Sequence, residues 1–322
     1  SKPNIFLEAA SDSPSKTIGN ILIKIDSVLD DLQPDAILIL GDTNSCLSAI
    51  AAKKKKIPIF HFEAGNRCFD QRVPEEINCK LVDQIADINL TYSSIAREYL
   101  IREGINPQFI IKTGSPMFEI LKNSRSRIDK SNIIEELNLK ANNYFLTSIH
   151  REENLDSHQN FKSIINSIDV ISKSKKVPVV FSTHPRTRNK INETKITLHP
   201  LIQLMKPLGF LDYNNLQLNA RAVLSDSGTI SEESSILNFP ALNIRESHER
   251  PEGMEEGSVM MVGFNFERIK QGIKILESQS RSNNRDLSEI MDYKADNVSK
   301  KILRIIYSYT DYINRKVWKK NI

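Results

Sequence analysis

Ala36-Ile37-Leu38-Ile39-Leu40-Gly41-Asp42-Thr43-Asn44-Ser45 is a continuous apolar run that stops in a polar, glycine-led turn. An unbroken run of this kind predicts a parallel strand buried on both faces. The pattern then repeats outward. Cys46 to Lys56 reads as a helix and Ile57-Pro58-Ile59-Phe60-His61-Phe62 as a second strand, ending in Glu63-Ala64-Gly65-Asn66-Arg67. Pro74-Glu75-Glu76 opens a helix with proline and acids in its first turn. Ile88 to Tyr92 is a third strand, residues 94–103 a helix, and Phe109-Ile110-Ile111 the last strand of this half.

Gly114-Ser115-Pro116 and the polar stretch Asn123 to Asn132 read as a linker. Beyond it come strand Tyr144 to Ser148, helix Asn160 to Ser174 and strand Val177 to Ser182. Ala222-Val223-Leu224 then leads into Ser225-Asp226-Ser227-Gly228-Thr229 and a helix from Ile230, with a short strand at Ala241 to Ile244. The tail beyond Asp286 reads as helical throughout. Two blocks of alternating strands and helices predict an α/β protein with two doubly wound parallel sheets and ligands at the strand C-terminal ends, in a cleft between them. The expected divisions are 1–118, 119–285 and a helical tail 286–322. Only one helix, Thr17 to Leu32, precedes the strand at Ala36, so the opening βα units expected of such a half are absent.

The chain has 322 residues, 26% charged and 39% hydrophobic, as expected of a globular protein with two cores. No apolar run reaches the ~20 residues that span a bilayer, and Ser1-Lys2-Pro3-Asn4 does not start a signal peptide. A cytoplasmic protein without membrane attachment is expected. Cys46, Cys68 and Cys79 match neither a disulfide framework nor a zinc site and read as ordinary thiols. The net charge of +4 is modest. Lys53-Lys54-Lys55-Lys56 has no interleaved aromatics, which excludes a nucleic-acid module and leaves a solvated helix end.

Asp42, Glu63 and Glu75 fall at or beyond the ends of neighbouring predicted strands. One acid in a turn is explained by capping; three converging acids are candidates for general acid and base work. Asp226-Ser227-Gly228-Thr229 ends a strand and starts a helix, where backbone N–H groups and hydroxyls can hold an anion. Glu232 and Glu233 on that helix could reach ribose hydroxyls, and Arg250 could pair with phosphate. His150, in His150-Arg151-Glu152-Glu153-Asn154, and His184 each follow a strand and are placed for phosphate contact or proton transfer. His61, inside a strand, reads as a packed structural histidine, and nothing singles out His158 or His199.

Taken in order, Gly41-Asp42-Thr43, His61 to Arg67, Pro74-Glu75-Glu76, His150 to Asn154, Asp226-Ser227-Gly228, Glu232-Glu233 and Glu249-Arg250-Pro251-Glu252 resemble the non-hydrolysing UDP-N-acetylglucosamine 2-epimerase family. The resemblance implies the GT-B arrangement of two Rossmann-like domains, with the last helix of the tail packing back on the first domain, catalytic roles for Asp42, Glu63, Glu75 and His150, and UDP contacts at Ser227, Gly228, Glu233 and Arg250. Thr229 stands where the family pattern has a second glycine, and His184 is carried as a further UDP-binding candidate. Asn66, the run Phe69 to Glu76, Ser227 to Ser235 and His248 to Glu256 resemble the subgroup that makes UDP-N-acetyl-L-fucosamine from its L-talo epimer for capsule and O-antigen synthesis.

The chemistry so implied eliminates UDP across C1–C2 to a glycal and adds it back with protonation of the other face of C2. It calls for a UDP-sugar, no metal or redox cofactor and no nucleic acid, and a homodimer is implied. Three rivals stand beside it. One is a UDP-GlcNAc/UDP-ManNAc 2-epimerase. Another is a GT-B glycosyltransferase, which needs no proton exchange at C2. The third is an inactive binding homologue, because the family's first-strand turn of Gly-Thr-Arg-Pro-Glu type has no counterpart here.

Overall fold

The computed structural model describes residues 3–151, 154, 157–194 and 196–321. The chain forms two compact units, one of residues 1–116 with 295–322 and the other of residues 117–294.

In the first unit, four parallel strands lie in sequence order: β1 (Ile37–Leu40), β2 (Ile59–Phe62), β3 (Ile88–Thr91) and β4 (Ile110–Lys112). Side chains alternate across the sheet, so its two faces feed separate cores. On one face Ile39 and Ile59 meet Leu29 of α1 (Pro14–Leu32), Ala49 and Ala52 of α2 (Ala49–Lys54) and Val82 of α3 (Pro74–Ile85). On the other, Phe60, Phe62, Ile88 and Leu90 meet Val298, Ile302 and Ile313 of the last helix, Val298–Lys316. Helix α4 (Ser94–Arg102) buries Leu100 against Ala64 and Ile110. At the edge strand β1, Leu38 and Leu40 stay 46% and 63% exposed.

In the second unit the strands are β5 (Phe145–Ile149), β6 (Val179–Thr183), β7 (Ile202–Met205), β8 (Ala222–Ser225), β9 (Ala241–Asn243) and β10 (Met260–Met261). They form one parallel sheet in the order β10-β9-β8-β5-β6-β7. The chain leaves β5 in one direction and returns through β8 on the other side. The switch point therefore lies between the ends of β5 and β8, where an open α/β sheet has its crevice. One face is covered by α7 (His158–Lys175) and α12 (Phe266–Leu276). The other carries α5 (Met117–Asp129), α6 (Ile133–Glu136), α9 (Phe210–Asn219) and α10 (Ile230–Leu237). Helices α8 (Pro185–Glu193) and α11 (Pro251–Glu255) follow β6 and β9. The last helix of the chain is α13. Among the described residues no helix is long and apolar enough to cross a membrane.

Four local expectations are corrected. The polar stretch Asn123 to Asn132 is not a linker, because most of it is α5, whose Leu121 and Ile128 are buried seven residues apart on one face. Its polar residues are simply the outer face of that helix. Cys46 to Lys56 is a 3₁₀ turn (Asn44–Ser48) running into the short α2, rather than one helix. The lysine run is not merely solvated: Lys53 pairs with Asp87 at 2.6 Å and lies over the Trp318 ring, and Lys55 pairs with Asp26 and Asp30. The tail is irregular up to a 3₁₀ turn at Met291–Tyr293, with Tyr293 bonded to Glu252 at 2.9 Å, and only α13 is a long helix. Residues 286–294 therefore group with the second unit.

Candidate active site

In the first unit, the turn after β1 carries Asp42 and the turn after β2 carries Glu63, both half-buried. Gly41 takes φ +73°, and a Cβ built there would lie 3.5 Å from Glu63 Oε2, so the two turns touch. Glu63 itself has φ +73°. A non-glycine residue in that region costs about 1–3 kcal/mol and persists only when its surroundings hold it there. Several contacts do so here. The Glu63 and Ala64 N–H groups both donate to the Leu90 carbonyl, and Asn66 Nδ2 donates to Glu63 Oε1 at 3.1 Å. Gly65, at φ +80°, passes so close to α4 that a Cβ would lie 2.5 Å from the Ala96 carbonyl oxygen.

The Asp42 turn is tied down from α3, where Asn78 Nδ2 donates to the Asp42 carbonyl at 3.0 Å and to Asn44 Oδ1 at 3.1 Å. The two acids that open α3 part company. Glu76 turns inward, accepting the Cys68 N–H at 2.8 Å and pairing with Lys80, whereas Glu75 stays half-buried in the first turn. Beneath the two turns lies a buried ionic group. His61 Nδ1 is 2.7 Å from Asp83, which also meets Arg67 at 2.8 Å, and Arg67 is paired with Glu103.

In the second unit, Asp226 is fully buried just past β8, at the switch point. It accepts the backbone N–H of His150 at 3.0 Å, that of Arg151 at 2.9 Å and Asn154 Nδ2 at 2.8 Å. The His150 side chain lies 3.1 Å from the same carboxylate and is partly exposed. Burial opposes the Asp226 charge, but His150 and these donors outweigh it and hold the carboxyl below its ordinary range. One carboxylate thus fixes the turn after β5 against the turn after β8. Glu152 and Glu153 of the His150 motif lie outside the described residues.

Ser227 and Thr229 share a 3.0 Å hydroxyl contact ahead of α10, and a Cβ on Gly228 would lie 3.2 Å from Glu249 Oε2. Glu249 is bracketed by Arg151 and Arg245, each at 3.1 Å. Burial would raise its pKa, and Arg151, Arg245 and Arg250 together lower it instead. Arg250 is buried with its Nε 3.4 Å from Glu232. Glu233 accepts from Gln217 at 2.6 Å inside the unit, and burial pushes its pKa up to about 7. His184 caps α8, its Nδ1 accepting the Arg186 N–H, at an exposed strand end next to that of β5.

Asp42 and Glu63 are therefore brought together in the first unit, with Glu75 at the start of the following helix. His150, Ser227, Gly228 and Thr229 gather at the switch point of the second, flanked by Arg250 and His184. Asn78, Asp83 and Arg245 were not legible as site residues, and Glu249 was read only as part of the Arg250 motif. Their partners lie 4 to 98 positions away in sequence. Chemically, the first unit offers neighbouring carboxylates for proton transfer. The second offers N–H groups, hydroxyls and guanidinium groups, which suit an anion.

The family model described as UDP-N-acetylglucosamine 2-epimerase matches residues 1–307. The structure of UDP-N-acetylglucosamine 2-epimerase from Rickettsia bellii superposes with a TM-score of 0.92 at 49% identity, over 99% of this chain and 86% of that one. The Methanocaldococcus jannaschii UDP-GlcNAc 2-epimerase, solved in complex with UDP-GlcNAc and UDP, gives a TM-score of 0.88 at 32% identity, over 96% and 85%. A Pseudomonas aeruginosa UDP-2,3-diacetamido-2,3-dideoxy-D-glucuronate 2-epimerase is 32% identical over 81% of this chain and 73% of its own length. The α/β architecture with two parallel-sheet units is that of these solved epimerases. By the reach of that match and these identities, the chain belongs to the UDP-N-acetylglucosamine 2-epimerase family, a family of isomerases.

Proposed function

We propose that this chain inverts C2 of a UDP-N-acetylhexosamine by elimination and re-addition of UDP, with UDP-N-acetyl-L-fucosamine as product. The observation that carries the chemistry is the meeting of the Asp42 and Glu63 turns, with Glu63 held at φ +73°. C2 of such a sugar is not next to a carbonyl, so its proton is poorly acidic and needs a placed base. In the forward half, a carboxylate takes the C2 proton and the C–H electron pair becomes the C1=C2 double bond. The C1–O bond breaks, and its electron pair leaves with UDP. In the return half, a diphosphate oxygen attacks C1 and a second group gives a proton to the opposite face of C2. Asp42, Glu63 and Glu75 are the proton carriers, and His150 is the further candidate. Ser227, Gly228, Thr229 and Arg250 hold the departing diphosphate and its charge, with Glu233 serving the ribose and His184 a further phosphate contact.

The substrate assignment rests on Asn66, Phe69 to Glu76 and His248 to Glu256, the segments that resemble the L-fucosamine subgroup. UDP-N-acetylglucosamine is the second reading, favoured by the named activity of the Rickettsia and Methanocaldococcus proteins. Incubating the protein in D₂O with UDP-2-acetamido-2,6-dideoxy-L-talose, or with UDP-N-acetylglucosamine, separates them. Deuterium at C2 of recovered nucleotide sugar is expected with the talo substrate, and Glu63→Gln should slow its entry by about 10²–10⁴-fold. Exchange with UDP-N-acetylglucosamine alone transfers the assignment to the second reading. UDP release that needs an acceptor and leaves C2 unlabelled overturns epimerisation.

A further inference from the structure

His61 has a part in this protein beyond packing. Its ring is wholly buried in β2, with Nδ1 2.7 Å from Asp83 Oδ1 and Nε2 3.0 Å from the Gly41 carbonyl oxygen. A carbonyl oxygen can only accept. Asp83 also only accepts, because its other oxygen meets the Arg67 guanidinium at 2.8 Å and the Gly65 N–H points at the same carboxylate. Each ring nitrogen therefore faces an acceptor and needs a hydrogen of its own. A neutral imidazole has only one N–H, which would leave a lone pair against an oxygen at one end; the imidazolium satisfies both.

We propose that His61 is a buried imidazolium at neutral pH that acts as a positioning residue, clamping the Gly41–Asp42 turn to Asp83 and so setting Asp42 against Glu63. Gly41 is held at both of its polar atoms, since its N–H donates to the Phe62 carbonyl and its own carbonyl receives His61 Nε2. Asp42 is the next residue, and Glu63 Oε2 is 3.5 Å from the Gly41 Cβ position. The clamp joins three elements around the proton carriers: β1 through Gly41, β2 through His61 and α3 through Asp83.

Charge is compensated locally. His61 and Arg67 carry two positive charges, and Asp83 and Glu103 two negative ones. The other titratable groups facing the cluster are Asp42 on the β1 turn, Cys79 on α3 with Sγ 3.6 Å from Asp83, and Cys46 after β1. Burial alone would discharge the ring. The Asp83 bond and charge, the Gly41 carbonyl and Asp42 outweigh it and raise the pKa. A raised histidine pKa contributes stability that is fully present below the unfolded value, about 6.5, and is lost only as pH climbs through the higher folded value.

The test is ring-nitrogen NMR on the intact protein, with the His61 signals identified by their loss in His61→Gln. Both nitrogens should carry a proton at about pH 7; one unprotonated ring nitrogen there overturns the proposal. In Asp83→Asn, the same signals should become those of a neutral ring. Positioning is read separately by hydrogen–deuterium exchange. His61→Gln should lose protection at the Gly41–Asn44 turn while residues 117–294 stay as protected as in the parent; unchanged protection at the turn overturns the clamp. The catalytic consequence rests on the role proposed above for Asp42. If the parent exchanges C2, His61→Gln should lower kcat about 10- to 100-fold with KM little changed, and an unchanged kcat overturns the positioning role. A parent without C2 exchange refutes the proposed function and leaves the NMR and protection results to decide the clamp.

Discussion

Asp226→Asn exchanges the buried carboxylate at the switch point for an amide of the same shape. The carboxylate accepts from two backbone N–H groups and from Asn154 Nδ2, with the His150 ring 3.1 Å away. In the variant, an amide oxygen at the Oδ2 position can keep all three donors, the His150 and Arg151 N–H groups and Asn154 Nδ2, but only as a neutral acceptor. Hydrogen bonds to a charged group are worth roughly 1.5–3 kcal/mol each, against about 0.5–1.5 kcal/mol for neutral ones. Losing about 1 kcal/mol of charge assistance at each of the donors should therefore cost about 3 kcal/mol. For a domain of this size that lowers Tm by about 6–12 °C.

The pH dependence is a sharper check. The folded pKa of Asp226 is depressed, so its stabilisation is present above the unfolded value of about 3.9 and fades only as pH falls through the lower folded value. Calorimetric scans of the parent and Asp226→Asn should therefore keep a constant gap from about pH 8 down to about pH 5. A loss below about 1 kcal/mol, or a gap that already closes at about pH 5, would refute the assignment of Asp226 as the charged pin between β5 and β8.

Three further outcomes follow from other parts of the chain. Gly65→Ala should destabilise the first unit by more than about 2 kcal/mol, because the added Cβ would meet the Ala96 carbonyl oxygen at φ +80°; thermal scans that match the parent would count against that close approach. Leu121→Ala should cost about 2–5 kcal/mol in urea titration, since Leu121 is 1% exposed in the core of the second unit; a flexible linker would lose almost nothing. Glu233→Gln keeps an acceptor for Gln217 but removes a carboxyl whose pKa is pushed up to about 7. In the parent, the folded state binds the extra proton between about pH 4.5 and 7, so its stability falls as pH rises through that window. The variant should be the more stable protein at about pH 8 and show little advantage at about pH 5; equal melting curves at both would show that Glu233 titrates normally.

The strands of the first unit were legible because apolar residues crowd a parallel strand at consecutive positions. Ile59, Phe60 and Phe62 are buried on both faces, and Ile37 to Leu40 is an unbroken apolar run even though Leu38 and Leu40 stay exposed at the sheet edge. Polar segments were harder. Asn123 to Asn132 looks like a linker because Ile128 is the only buried residue of α5 within it, and a helix covered on one side can be polar over most of its length. Strand β7 and the two-residue β10 also escaped notice. Lying at the sheet edges, with partly exposed side chains, they lack the long apolar run of the central strands.

The sequence by itself determined the order of the apolar central strands, the family, and the placement of Asp42, Glu63, His150 and Ser227 to Thr229 at strand ends. These are properties of short runs of chain, where apolar periodicity and turn chemistry act over a few residues. Only the tertiary structure decided which of these ends become neighbours, and what supports them. The pairing of β5 with β8 brings Asp226 to the backbone of His150 and Arg151, 76 and 75 positions away. The seating of α3 on β2 gives His61 the carboxylate of Asp83, and the pairing of β1 with β2 gives it the carbonyl of Gly41. A buried charge is tolerable only where partners from distant segments meet it, so the sequence shows the residue and the fold supplies its state.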